Sequence, residues 1–274
     1  MSFPGQNCSP VPAVCSLFYF RRGMYRINKV IETKSEQIEI IPFGDTHLGN
    51  SNCQWKKFQE LISYIANTPN CYAIGMGDYL DSILPKDTRF DPSEEFRVIE
   101  QNINQIIDTL KPIKDKIICL LTGNHEYHLH SAGYGDPVKR IAAELGIPYA
   151  GFSAFIKIKV LPKTHKPSLV IYAHHGWSAG RRTGNVINNV ENLAQYWDAD
   201  VYLVGHSHKL WSTRQVKIGW GGQRKIVFGN TGTFLETCSW GTTSYSERGG
   251  FPPLKLGVLK LKYYPKKADI HVSE

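Results

Sequence analysis

Apolar residues along this chain come in short runs separated by amphipathic stretches. Compact runs rich in Ile, Val and Leu predict strands over residues 37–43, 71–76, 116–121, 153–160, 168–173 and 201–204. Three more strands are expected over 215–218, 225–228 and 256–263. Between the runs, apolar residues return at helical spacing. Trp55, Phe58, Leu61, Ile62 and Ile65 mark one helix face. Phe96, Ile99, Ile103, Ile106 and Leu110 mark a second. Its start reads Asp91-Pro92-Ser93-Glu94, with Asp as cap, Pro first inside and Glu third, and Pro112 follows its end. A third helix begins at Asp136-Pro137 and stops at Gly146, and a fourth covers 185–197. Residues 1–16 are polar and Pro-rich, which predicts an irregular tail before a single domain over 17–274. Alternating strands and helices predict α/β layers.

Composition narrows the class. The chain has 274 residues, 42% apolar and 20% charged, an ordinary globular balance with ample length for a core. No apolar run approaches the roughly 18 residues that span a bilayer. The apolar stretch 11–20 lacks a basic segment before it and a small-residue cleavage site after it, so it reads as tail leading into a strand. The six cysteines (Cys8, Cys15, Cys53, Cys71, Cys119, Cys238) include no C-x-x-C pair, which argues against thiolate zinc and for a reduced, cytoplasmic setting without membrane attachment. The net charge of +8 points to anionic partners such as phosphates or nucleic acid, although Lys255, Lys260, Lys262, Lys266 and Lys267 also read as a solvated face.

The chemistry lies at the strand ends. Five buried-type strands each finish in a polar cluster: Asp45/His47, Asp78, Asn124/His125, His174/His175 and His206/His208. Singly, each has an ordinary reading as a helix cap, a turn or a core histidine. In an open α/β sheet, however, the carboxyl ends of the strands line one crevice, so these residues are expected to converge. A pair of divalent cations needs a carboxylate between them to offset their repulsion. Neutral imidazoles and amide oxygens fill the remaining positions without repelling an anionic substrate.

As an ordered set, the motifs resemble those of the calcineurin-like metallophosphoesterase superfamily, and the segment from His175 to Asn185 resembles its small phage and prokaryotic members. The motifs stand here as Asp45-Thr46-His47, Gly77-Asp78-Tyr79-Leu80-Asp81, Gly123-Asn124-His125-Glu126, His174 and Gly205-His206-Ser207-His208. Phe228-Gly229-Asn230-Thr231-Gly232 matches the strand and turn that follow the last histidines. The resemblance implies a four-layer α/β/β/α sandwich and two divalent metal ions, with manganese favoured and iron or zinc also suited to mixed N/O ligands. It implies that Asp45, His47 and His208 hold one ion, that Asn124, His174 and His206 hold the other, and that Asp78 bridges both. His125 would face the substrate, and water acidified by the ions would attack phosphorus directly. Alternation along a strand points His174 and His175 apart. His174 is the expected ligand, and His175 is expected beside the site or facing the substrate.

Departures from the pattern bear on the substrate. Gly123-Asn124-His125-Glu126 resembles the serine/threonine protein phosphatases, but those follow the second motif with Asp-Arg-Gly, where Asp81-Ser82-Ile83 stands here. Asp45-Thr46-His47-Leu48-Gly49 resembles the nuclease subunit of double-strand-break repair complexes, without an evident second DNA-binding domain. After His175 comes a Gly-rich loop, with Gly176, Gly180 and Gly184 around Arg181 and Arg182. Its arginines are expected to fork a phosphate next to the scissile one. A solvated basic loop is the plain alternative. The expected activity is hydrolysis of a nucleotide or nucleic-acid phosphate ester. The alternatives are a phosphoprotein phosphatase and a catalytically silent phosphate- or nucleic-acid-binding module.

Overall fold

The computed structural model describes residues 24–87, 90, 99–162, 168–177, 182–220, 222–238 and 245–274. The expected tail, the helix start at Asp91 and Arg181 lie outside them. The first half of the chain forms β1 (Tyr25–Glu32), β2 (Ile38–Phe43), α1 (Trp55–Asn67), β3 (Cys71–Gly75), α2 (Ile99–Leu110), β4 (Ile117–Leu120), α3 (Asn124–Ser131) and α4 (Pro137–Leu145). The second half forms β5 (Ser153–Leu161), β6 (Ser168–His174), α5 (Thr183–Tyr196), β7 (Val201–Val204), β8 (Leu210–Gly219), β9 (Gly222–Thr233), α6 (Tyr245–Arg248), β10 (Gly257–Val258), β11 (Lys260–Tyr264) and β12 (Asp269–Ser273).

Two sheets face each other. One runs β12-β11-β2-β3-β4, with β2, β3 and β4 parallel. The other runs β1-β5-β6-β7-β9-β10, with β8 paired to β9 and with β6, β7 and β9 parallel. Alternation along β2 shows how the layers form. Ile38 and Ile40 enter the core between the sheets, packing with Ile156, Ile171 and Leu203. Ile41 and Phe43 point the other way and meet Phe58, Ile62 and Ile65 of α1, Ile106 and Leu110 of α2, and Ile141 of α4. On the far side, Val186, Val190 and Leu193 of α5 cover Tyr172, Tyr202 and Phe228. The result is the four-layer α/β/β/α sandwich. Among the described residues, no helix is long and apolar enough to cross a membrane.

Local signals explain most elements. Asp136 caps α4 by accepting from the Val138 and Lys139 amides, and Gly146 ends the helix at φ 68°. Two expectations change in detail. Residues 256–263 divide into β10 and β11, which belong to different sheets. The short segments 215–218 and 225–228 are parts of the longer hairpin β8–β9. Four elements, β1, β12, α3 and α6, are additional to those the pattern predicts.

Candidate metal centre

The carboxyl ends of β2, β3, β4, β6 and β7 converge, and their loops knit together. The Asp45 amide donates to the Gly77 carbonyl, the Thr46 and His47 amides to Asp78, and the Leu48 amide to Tyr79. Asp45, His47, Asp78, His206 and His208 all take left-handed backbone, with φ between 49° and 65°. Each such residue costs on the order of 1–3 kcal/mol, so the surrounding structure must hold it there. The Asp45 carbonyl accepts from the Thr233 hydroxyl and the Phe234 amide. At Gly123 and Gly205 the backbone passes so close to Asp78 and Asp45 that a Cβ on either glycine would collide with their carboxylates.

Two groups of donors result. Asp45, His47 and His208 bring their donor atoms within 4.8 Å of one another, and so do Asp78, His175 and His206. In the first group His208 Nε2 lies 3.3 Å from Asp45 Oδ1 and 3.0 Å from His47 Nε2. In the second, His175 Nε2 lies 3.3 Å from Asp78 Oδ2 and 3.1 Å from Asn124 Oδ1. Asp78 Oδ1 accepts from the His125 amide at 2.9 Å. His47, Asp78 and His125 form a third set at the same spacing, which puts His125 beside the ligand groups.

The structure reverses the expected order of His174 and His175. His175 is fully buried, and its Nδ1 donates to the Met76 carbonyl at 2.8 Å, turning Nε2 toward Asp78 and Asn124. His174 points to the opposite face, where its Nδ1 accepts from the Gly176 amide and its ring meets Trp177. The cause is the strand's phase. Ala173 faces the sister sheet and Tyr172 faces α5, so the next inward position is 175. Asp45, His47, Asp78, Asn124, His206 and His208 lie together around these two groups. Arg182 is exposed just before α5.

Two residues without an assigned role support the centre. Asp81 Oδ1 lies 3.2 Å from Nδ1 of both His47 and His125, and its Oδ2 accepts from the Asn50 amide. Buried Glu126 accepts from the backbone amides of Asp78, Leu80 and Gly123, tying the β3 and β4 loops together. Both stand within the motifs Gly77–Asp81 and Gly123–Glu126, which was their signal. Nothing in the sequence points to Asn50.

The electrostatics fit a cation. Among the described residues, Asp45 Oδ1 is buried without a hydrogen-bond partner. Burial would raise the Asp78 carboxyl, but the His175 and His125 imidazoles outweigh it and hold it well below the usual carboxylate range. Burial would likewise lower His175, yet the charges of Asp78 and Asp45 hold it up at about 10. Burial and the neighbouring His175 push His206 down to about 4. The negative field that retains a proton on His175 is one that attracts a divalent ion. Carboxylate, imidazole and amide oxygen are ligands that first-row divalent metals accept.

Among curated proteins, none matches the chain. Similar solved structures include Vps29 of Entamoeba histolytica complexed with zinc, at 10% identity and TM-score 0.37, covering 86% of this chain and 97% of that one. A predicted phosphoesterase of Streptococcus pneumoniae follows at 14% identity and TM-score 0.33, covering 82% of each chain. GAP50 of Plasmodium, described as the anchor in the inner membrane complex, has 10% identity and TM-score 0.42, covering 88% and 89%. The sequence pattern of the calcineurin-like phosphoesterases matches residues 38–210. That span holds every residue of the two donor groups, and so the chain belongs to the calcineurin-like phosphoesterase family, as a metal-dependent phosphoric ester hydrolase.

Proposed function

We propose that the protein hydrolyses phosphate esters of nucleotides or nucleic acid with two divalent ions, manganese being favoured over iron or zinc. The observation that carries this reading is the pair of adjacent donor groups, Asp45/His47/His208 and Asp78/His175/His206. One ion would be held by the first group. The other would be held by Asn124, His175 and His206, with Asp78 between the two. Ions so held supply positive charge for a phosphate ester and acidify water for attack.

The chain's own residues do the rest. Asp81 holds Nδ1 of His125, so the other ring nitrogen is the one to meet the leaving oxygen and protonate it. Asp81 also orients His47 through Nδ1, which keeps Nε2 for the ion. The net charge of +8 favours an anionic polymer or nucleotide over a neutral substrate.

The test compares bis-p-nitrophenyl phosphate with p-nitrophenyl phosphate, with and without manganese, after exhaustive chelation. Expected are about two ions per chain, restoration by manganese and preference for the diester. Preference for phosphoserine peptides would move the protein to the phosphoprotein phosphatases. Metal binding without turnover of any ester would make it a binding module.

A further inference from the structure

Two half-exposed aromatic rings flank the strand end that carries His174 and His175. Tyr127 is 49% exposed and Trp177 is 50% exposed. Tyr127 lies one helical step beyond Asn124 on α3, and its ring packs edge-on to Phe152 at 5.4 Å and 67°. Phe152 is tied to the site directly, since its carbonyl accepts from the His175 amide at 2.9 Å. On the other face of the same strand end, the Trp177 ring stands 5.0 Å from His174 at 83°. His174, displaced from the ligand position, is thereby a prop for Trp177.

Single exposed aromatics are ordinary on protein surfaces. These two differ in their setting. Each is braced by an edge-on neighbour, so its orientation is restricted before a ligand arrives and less freedom is lost on binding. Each also lies within three positions in sequence of His175 or of Asn124, whose Oδ1 is 3.1 Å from His175 Nε2. Phe152, the neighbour of Tyr127, is hydrogen-bonded to His175, and Trp177 lines one recess with Gly205 and Ser207 on either side of His206, so the organic part of an ester whose phosphate sits at the second donor group would extend toward these rings. Planar heterocycles stack on such rings regardless of base identity.

We propose that Trp177 and Tyr127 form a base-stacking rim, which recognises the nucleobase of a nucleotide or single-stranded nucleic-acid substrate. The proposal rests on the nucleotide reading given above and specifies how that substrate is held. The rim gives affinity without base specificity, because stacking faces are common to all bases and no hydrogen-bond pattern is required of it.

The experiment uses two diesters with the same leaving group, thymidine 5′-(p-nitrophenyl phosphate) and methyl p-nitrophenyl phosphate, on the manganese-loaded protein. Trp177→Ala and Tyr127→Ala are compared with Trp177→Phe. Tyr196→Ala, an exposed aromatic at the far end of α5, is the control. Expected is a rise in KM of about tenfold for the nucleoside ester in at least one alanine variant. The methyl ester should change far less, and Trp177→Phe should restore part of any loss at Trp177. Binding of thymidine 5′-monophosphate, followed by equilibrium dialysis, should weaken in parallel. Equal effects on both esters, or none on either, overturn the rim. If the wild-type protein turns over neither ester yet binds the monophosphate through these rings, the rim stands and the hydrolytic reading on nucleotides falls. Neither turnover nor binding overturns both.

Discussion

Nε2 of His47 and Nε2 of His208 lie 3.0 Å apart, although 161 positions separate the two residues. His47 turns its Nδ1 to Asp81, so Nε2 offers a lone pair. Two lone pairs at this distance repel unless a proton or a cation lies between them. Asp45 Oδ1 completes the triangle at 3.3 Å from His208. His208→Ala removes one of three donors while leaving the sheets untouched. The expected outcome is loss of about one ion per chain, with activity down on the order of 10²-fold and an unchanged far-ultraviolet spectrum. Elemental analysis of the purified variant checks this, and full metal content would remove His208 from the centre.

Asp81 offers a test of orientation separate from ligation. Its Oδ1 lies within 3.2 Å of two imidazole Nδ1 atoms, and its Oδ2 accepts from Asn50. Burial would raise this carboxyl, but hydrogen bonds from His125 and His47 hold it well below the usual range. In Asp81→Asn the new NH₂ must face either the Asn50 amide or the imidazoles, donor against donor. A fall in kcat of about 10- to 100-fold is expected at saturating manganese, in a folded protein. Asn50→Ala should lose less, since it removes one donor and creates no clash. Steady-state kinetics at several metal concentrations separate this loss from weakened metal binding.

The contrast between strands and support residues shows what the sequence reveals. β2, β4 and β7 are buried at every position, so each reads as a compact apolar run, interrupted only by Glu39 in β2, and its polar end stands out. β1 and β12 lie at sheet edges with most positions partly or wholly exposed, and they lack that signature. α3 buries only His125, Glu126 and Leu129, so no apolar stripe announces it. The phase of His174 and His175 was hidden for another reason. Both faces of β6 are buried, one by the sister sheet and one by α5, and alternation alone does not say which face is inward. The roles of Asp81 and Glu126 depend on three loops meeting in space, which motif letters do not encode.

The basic segment after His175 bears on substrate size. Arg182 is exposed at the residue before α5, whose first amides are donors at the same end. If Arg181 and Arg182 fork a phosphate adjacent to the scissile one, replacing both by Ala should weaken turnover of nucleotide diesters far more than that of a small aryl phosphate. The aryl ester has no second phosphate to hold. Lysine at both positions should rescue only partly, because a point charge lacks the fork. Equal losses on both substrate types in parallel kcat/KM measurements would return the pair to a solvated loop.

Gly123 provides a way to disturb the centre without touching a donor. It is the residue before α3, with φ −105° and ψ −178°, backbone that alanine adopts without strain. An added Cβ would nevertheless overlap Asp78 Oδ1 and crowd the Asp78 amide. Neither neighbour yields easily: the carboxylate already accepts from the His125 amide, and the Asp78 amide donates to Glu126. Gly123→Ala should therefore displace the carboxylate between the two donor groups. Expected are metal content well below two per chain and a rate lower on the order of 10²-fold, even though every proposed ligand is present. Gly184→Ala is the comparison, because its Cβ in α5 meets nothing within 4 Å among the described residues. That change should leave metal content unaltered and raise helix stability by up to about 1 kcal/mol. Metal content and turnover near wild type in Gly123→Ala would mean that the Asp78 carboxylate can shift without loss, and its place between the two groups would have to be given up.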